Sequence, residues 1–497
     1  MTRQQQTAVL RDRIRELRHL DAAIGLLSWD EETYLPNGAR GERGAQLATL
    51  EGLRHSLLCT EALGDLIERV ALHASENDLV VGEIARLRRL RRIALALPDD
   101  LVRAFAEARS RALAAWETAR HDDDFSIFAP GLSDLMRLVR ERAQALARTG
   151  DLYDALLDEY EPGMTRARLE PVLDVVGKRL EPLVAILADA TQARADPLPV
   201  AKYADAAQAE FCRTLLVDMG FDFERGRLDR STHPFTLMAG GNDIRLTIRI
   251  FEDAPLSAVF ATLHEGGHGL YDQGFAPELA GTLLAEAPGM GIHESQSRLW
   301  ENHVGRRVAF WEHYLPRFRA AFPGVLDAWT PERFVRAVNV VRPGVSRVEA
   351  DEATYNLHII LRYQLELALV SGDLSIEDLP VAWNELSKRL LGVSPQSARE
   401  GCLQDVHWAL GAIGYFPSYL IGNLYAAQLI ESHVAEHDLD GALARGELAP
   451  LTAWLRQRVH ALGHRIAADA IVERATGQGL DPEPFFRALL ARFDAVR

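Results

Sequence analysis

The stretch LSAVFATLHEGGHGLY, Leu256 to Tyr271, carries Leu256, Val259, Phe260, Leu263, Leu270 and Tyr271 at helical spacing. That periodicity predicts a helix with one buried stripe. His264 and His268 stand four residues apart, so a single turn places both imidazoles on one face. Glu265 is rotated about 100° from His264 around the axis. In such an HExxH pattern, two neutral imidazoles bind zinc and the carboxylate takes a proton from the water that the metal acidifies. Gly266 and Gly267 each cost a helix about 1 kcal/mol relative to alanine. Beside a histidine pair they point to backbone kept bare for a substrate or a closely packed neighbour. With 16 histidines in 497 residues the pattern also arises by chance in roughly a few chains per hundred, so a third ligand is required.

The remaining composition narrows the class. Apolar content of 48% and charged content of 25% are those of a globular protein. A net charge of −16 argues against nucleic acid or an anionic membrane surface as a partner. Cys59, Cys212 and Cys402 lie far apart with no CxxC, which suits reduced thiols in the cytoplasm rather than a disulfide framework. The first residues, MTRQQQTAVLRDRIREL, contain no apolar signal region. Val406 to Ile430 runs without Asp, Glu, Lys or Arg and is long enough to span a bilayer. Its His407, Asn423, Gln428, Pro417 and three glycines favour a buried core segment beside a cleft instead.

Residues 1–200 read as an N-terminal helical half, with amphipathic stretches over Arg11–Leu27, Arg43–Val70 and Glu76–Ala96. Breaks are expected at Leu35–Gly38, at Leu97-Pro98 and at Phe128–Gly131, each on its Pro or Gly. The arginine run Arg86 to Arg92 reads as a solvated face pairing with carboxylates. Residues 201–497 read as the catalytic half. Ile244, Leu246, Ile248 and Ile250 alternate with Arg245, Thr247, Arg249 and Phe251, a half-buried strand. The Gly240–Asp243 segment before it is hairpin chemistry. A strand there could align an extended peptide with the metal by strand addition, or be purely structural.

A Gly-rich turn, Gly289 to Ile292, precedes a helical stretch from His293 to Glu301 with Glu294 at its start. Glu294 is the favoured third ligand on residue type and placement, with His293 and Glu286 as rivals. Its bland alternative is a carboxylate favoured by a helix N-terminus. Arg347, Asp351, Tyr355, His358 and Arg362 share one face of a helix that runs on to Leu369. This stripe reads as a solvated or ion-paired seam, or as the place of an arginine that receives a carboxylate bidentately. His407, Tyr415 and Tyr419 are polar tips in an apolar segment, either satisfied core residues or donors to a developing oxyanion.

Taken together, the chain resembles the carboxypeptidase Taq family of metallocarboxypeptidases over nearly its whole length. The resemblance rests on Ser28-Trp29-Asp30 with Leu35-Pro36 and Gly38-Ala39, HPF at His233–Phe235, DxRxT at Asp243, Arg245 and Thr247, and the HExxH itself. It continues through HESQS at His293–Ser297, RxxAD at Arg347, Ala350 and Asp351, and GxxQDxHW at Gly401–Trp408. It implies a mainly α fold with a deep substrate groove, akin to angiotensin-converting enzyme and the thimet-type oligopeptidases, with a small hairpin or sheet beside the zinc helix. It further implies a homodimer that removes C-terminal residues from peptides with broad specificity. One zinc per chain is expected on His264, His268 and Glu294, with cobalt or manganese as substitutes, and Glu265 as base. His407 and Tyr419, with Tyr415 as rival, match the oxyanion donors of those relatives, and His233 matches the histidine that holds the substrate backbone. Arg298 departs from the distant relatives, where an acid often follows the third ligand by four, so support for the zinc histidines must come from elsewhere. Two other functions share these motifs: an oligopeptidase cutting internal bonds, and a helical scaffold that keeps the motif without catalysis. For the substrate carboxylate the candidates are Arg347, favoured as the freer, and Arg245, which points to the same face as Asp243.

Overall fold

The computed structural model describes residues 2–75, 79–147 and 150–495. Among them are twenty α-helices and one three-stranded sheet. The first helix, Arg3–Thr33, opens on a reciprocal cap in which Thr2 accepts from the Gln5 N–H and the Gln5 side chain accepts from the Thr2 N–H. It ends just before Leu35-Pro36, as the sequence requires. Two expected boundaries differ. Arg43–Val70 is not one helix but two, Arg40–Cys59 and Glu61–Ala71, because Thr60 turns extended and caps the second through the Leu63 N–H. Pro130 does not break the chain: the Phe125–Leu146 helix runs through it. The turn falls earlier, where Asp123 adopts φ +58° and Asp124 caps from Ser126. Of the expected Glu76–Ala96 helix, 79–96 is helical and 76–78 lies outside the described residues.

The arginine run is ion-paired, not a bare basic patch. Arg88 meets Glu68, Arg89 meets Asp158, and Arg86 reaches Glu286 in the connection that follows the histidine helix. The first four helices enclose a small core of their own, built on Leu10, Ile14, Leu63, Ile67 and Leu87. The main core is continuous from Ala108 to Phe493. No helix among the described residues is long and apolar enough to cross a membrane. The uncharged Val406–Ile430 stretch is instead irregular up to Tyr415, and then forms the front of the buried Phe416–Glu436 helix.

The strand signal is correct but incomplete. β1 (Gly226–Arg230), β2 (Thr236–Gly240) and β3 (Asp243–Ile248) form a mixed sheet in the order β1-β3-β2. β2 and β3 are the expected hairpin, while β1 adds in parallel on the other side. β3 stops at Ile248, opposite the end of β1, rather than at Phe251. Ile244, Leu246 and Ile248 are buried as the alternation requires. Because β3 is central, it has no free edge for an incoming peptide; β2 has one. Thr247 ties two of the motif blocks together, its Oγ1 accepting from the Phe235 N–H at 2.9 Å.

Candidate active site

The histidine helix spans Pro255–Asp272, with Pro255 at its first turn, where a missing N–H costs nothing. A second helix, Met290–Arg298, carries the third residue. It begins at Met290, so the expected glycine turn is already its first turn and Glu294 stands mid-helix. Nε2 of His264 and of His268 lie 3.7 and 3.4 Å from Oε2 of Glu294. Among the described residues this is the one group of three able to share a metal ion, its ligand atoms all within 4.8 Å of one another. Donors at about 2.0–2.2 Å from a common tetrahedral ion stand about 3.3–3.6 Å apart. The two imidazoles and the carboxylate therefore fit a divalent metal.

The glycines make this convergence possible. A methyl on Gly267 would collide with the Gln296 carbonyl oxygen and sit 2.8 Å from Ser297 Cα. One on Gly266 would sit 2.8 Å from Leu216 Cδ2 and from Met219 Cε. The bare backbone thus serves packed neighbours, and it lets the two ligand-bearing helices approach closely. From the Phe416–Glu436 helix, Gly422 does the same against Glu294, where an added methyl would fall 2.7 Å from Cγ.

Each ligand is held by a partner. Arg298 donates from Nε to Glu294 Oε1 at 2.7 Å, which leaves Oε2 for the histidines. Burial pushes the Glu294 pKa up, but Arg298 and the two histidines outweigh it and hold the group well below the usual carboxylate range. Burial lowers His268 to about 4, so its imidazole is neutral near pH 7, the form that ligates. Glu301 Oε2 lies 2.9 Å from His264 Nδ1 and orients that ring. Glu301 sits in a π-helical turn, Leu299–Val304, seven residues past Glu294. Four residues past Glu294 the sequence has Arg298, and the supporting acid follows three residues later on the same side of the helix. We expect Glu301→Gln to weaken metal binding about tenfold, read by competition with a chromogenic chelator.

The rival ligands are engaged elsewhere. His293 Nε2 lies 3.2 Å from Asp272 Oδ1, and its ring stacks on His268 at 4.3 Å. Glu286 pairs with Arg86 and with His464. Glu265 is 6% exposed and outside the ligand group, and its Oε2 accepts from Thr236 Oγ1 at 2.6 Å. Burial raises its pKa, with His264 and Thr236 opposing. Thr236 opens β2, so the sheet places its hydroxyl on the carboxylate. Nothing in the sequence pairs residues so far apart.

A second cluster gathers around His407. His407 Nε2 is 3.2 Å from the Tyr419 hydroxyl, and the Tyr415 ring stacks on His407 at 5.6 Å. Burial, then the Arg347 charge, lower His407 to about 4. Burial, and next the Glu294 charge, raise Tyr415. Arg347 is not the free residue that the sequence suggests, nor is it helical: the helix begins at Glu352, capped by Asp351. Its Nε donates to Asp405 Oδ1 at 2.9 Å and its Nη1 to the Tyr355 hydroxyl at 3.1 Å. Arg362 reaches the other Asp405 oxygen at 2.6 Å. The polar stripe is thus a buried ionic seam closed by an acid from the GxxQDxHW block. Arg245 forms a two-bond pair with Asp243, both at 2.9 Å, and stacks over Trp29 at 4.4 Å. The side chain of His233 is exposed, on the turn before β2.

Comparison with known proteins agrees with this geometry. Residues 9–493 match the family described as carboxypeptidase Taq (M32) metallopeptidase. Thermostable carboxypeptidase 1 of Thermus thermophilus is 40% identical over 495 residues, covering 97% of each chain. Thermostable carboxypeptidase 1 of Pyrococcus furiosus is 38% identical over 94% of each. The crystal structure of the M32 carboxypeptidase from Deinococcus radiodurans superposes with a TM-score of 0.94 at 36% identity, covering 99% of both. With two histidines and a glutamate converging on one point and these relatives matched end to end, the chain belongs to the carboxypeptidase Taq (M32) family and is a metallocarboxypeptidase that releases residues from peptide C-termini.

Proposed function

We propose that the metal is zinc, one per chain, held by His264, His268 and Glu294, and that the enzyme accepts many C-terminal residues. The observation that carries this is the convergence of two Nε2 atoms on one Glu294 oxygen, with Glu265 adjacent but outside the group. When bound, zinc supplies Lewis acidity toward water and the scissile carbonyl. Glu265, buried and raised, takes the proton from the attacking water and later delivers it to the leaving amine. Thr236 aims its carboxylate. The Tyr419 hydroxyl donates its one proton to the developing oxyanion, with neutral His407 donating from Nε2 to the hydroxyl oxygen at 3.2 Å and Tyr415 flanking both. An extended peptide lies along the open edge of β2, the strand that begins at Glu265's partner, with His233 at the turn before it contacting the substrate backbone.

Arg347 receives the substrate carboxylate. Both arginines have Nε and Nη2 on a carboxylate, Arg347 on Asp405 and Arg245 on Asp243, but Arg347 stands against the Tyr419 ring at 5.2 Å. Its Nη1 holds only the Tyr355 hydroxyl, a partner that a carboxylate can replace. We expect amidated peptides to be poor substrates, and Arg347→Ala to erase most of the preference for the free acid. The measurement is kcat/KM for acid and amide forms on wild type, Arg347→Ala and Arg245→Ala. Loss of preference in Arg245→Ala alone would move the receptor to Arg245.

The chain acts as one catalytic unit, with the ligands and base in 201–497, and works as a homodimer in the cytoplasm. The continuous main core and the three free cysteines support the first and last of these. Mass analysis of products from an unblocked peptide tests the activity: a one-residue ladder from the C-terminus supports it, and internal fragments point to an oligopeptidase.

A further inference from the structure

Glu161 follows the Leu152–Tyr160 helix and is 4% exposed. Its Oε1 accepts from the Ser418 hydroxyl at 2.6 Å and from the Gly291 N–H. No cation pairs with it among the described residues, and burial pushes its pKa up to about 7 against the pull of these two bonds. A carboxylate buried without a cation is strongly unfavourable unless its remaining contacts compensate.

The two donors mark where the compensation lies. Gly291 is the second residue of the Met290–Arg298 helix, one turn before Glu294. Ser418 is the third residue of the Phe416–Glu436 helix and directly precedes Tyr419. Both lie in a first turn, where a negative charge is favoured; Gly291 offers a helix N–H that lacks an intrahelical partner, and Ser418 its hydroxyl. One oxygen from the N-terminal half of the chain thus ties together the starts of the two helices that carry Glu294 and Tyr419. The same helices are in tight contact just beyond, where a methyl on Gly291 would fall 2.7 Å from Ile421 Cγ2.

We propose that Glu161 is a positioning residue that fixes the start of the Glu294 helix against the start of the Tyr419 helix, and so the distance between the metal and the oxyanion donor. This rests on the roles given above to Glu294 and Tyr419. Each arm has its own readout. Ser418→Ala removes only the Tyr419 arm, so kcat should fall about tenfold with metal affinity unchanged. Glu161→Ala removes both arms, so metal affinity should fall about tenfold and kcat about a hundredfold, in the range seen when partners of ligands are lost. Glu161→Gln keeps an oxygen acceptor at the same place and should recover most of both losses.

The test is chelator competition and steady-state kinetics on the purified full-length variants, with Glu294→Ala in the same series. Wild-type metal affinity and kcat in folded Glu161→Ala would overturn the proposal. So would equal losses in Glu161→Ala and Glu161→Gln, or a Ser418→Ala variant with unchanged kcat, a measurement that stands even if Glu161→Ala fails to fold. Full metal retention by Glu294→Ala would instead overturn the ligand assignment, which separates the two failures.

Discussion

Glu265→Gln loses about 10²–10⁴-fold in kcat while keeping its metal and its fold. The size follows from the role: the carboxylate stands next to His264 on the histidine helix without being a ligand, and its Oε2 is aimed by Thr236. Glutamine is close in shape and keeps a hydrogen-bonding end against the Thr236 hydroxyl, so the surrounding packing is undisturbed. What it cannot do is accept and return a proton. KM should change little, because the group acts on the water rather than on the substrate's bound portions. The measurement is single-substrate kinetics on metal-replete enzyme, with metal content determined on the same sample. Near-normal turnover would remove Glu265 from the mechanism.

Glu294→Ala loses the metal. Two imidazoles alone make a poor site, since a catalytic zinc takes three protein donors. The damage extends further, because Arg298 would lose its closest carboxylate in a buried setting and keep only Glu301 at 3.2 Å. The expected result is a variant that dialyses to less than stoichiometric metal and shows no activity until metal is supplied in large excess. If metal stayed bound through dialysis, another donor would have to complete the set. His293 would need to leave Asp272, and Glu286 would need to leave Arg86 and His464, for either to do so.

The parts of the site legible in the sequence are those encoded within one helical turn or one strand. The histidine pair and Glu265 are set by spacing, and Glu294 by its residue type and its distance along the chain. The hairpin follows from strict alternation beside a glycine pair. Residues that act across elements leave no such trace. Thr236, Asp405 and Glu161 have meaning only once a strand, a loop or the end of a distant helix is brought alongside. β1 is invisible for the same reason: Gly-Arg-Leu-Asp-Arg has little strand character, and it is a strand because β3 offers a partner. Pro130 is the sixth residue of its helix and forgoes the hydrogen bond to the Ser126 carbonyl, yet the helix runs on through it, held by the buried Phe128, Leu132 and Leu135 around it. Arg347 looked free because its partner, Asp405, lies 58 residues away.

The close contact at Gly267 also divides the helical glycines for anyone wishing to make the enzyme hardier. Exchanging glycine for alanine in a helix ordinarily stabilises by roughly 0.4–1 kcal/mol, chiefly by restricting the unfolded chain. Gly41, Gly44 and Gly52, on the Arg40–Cys59 helix, have nothing within 4 Å of an added methyl and are open to that exchange. At Gly267 the same methyl meets backbone, which has no rotamer to yield with. Engineering for heat tolerance can therefore exchange those three glycines of the second helix, while the glycines between the ligand-bearing helices must stay as they are.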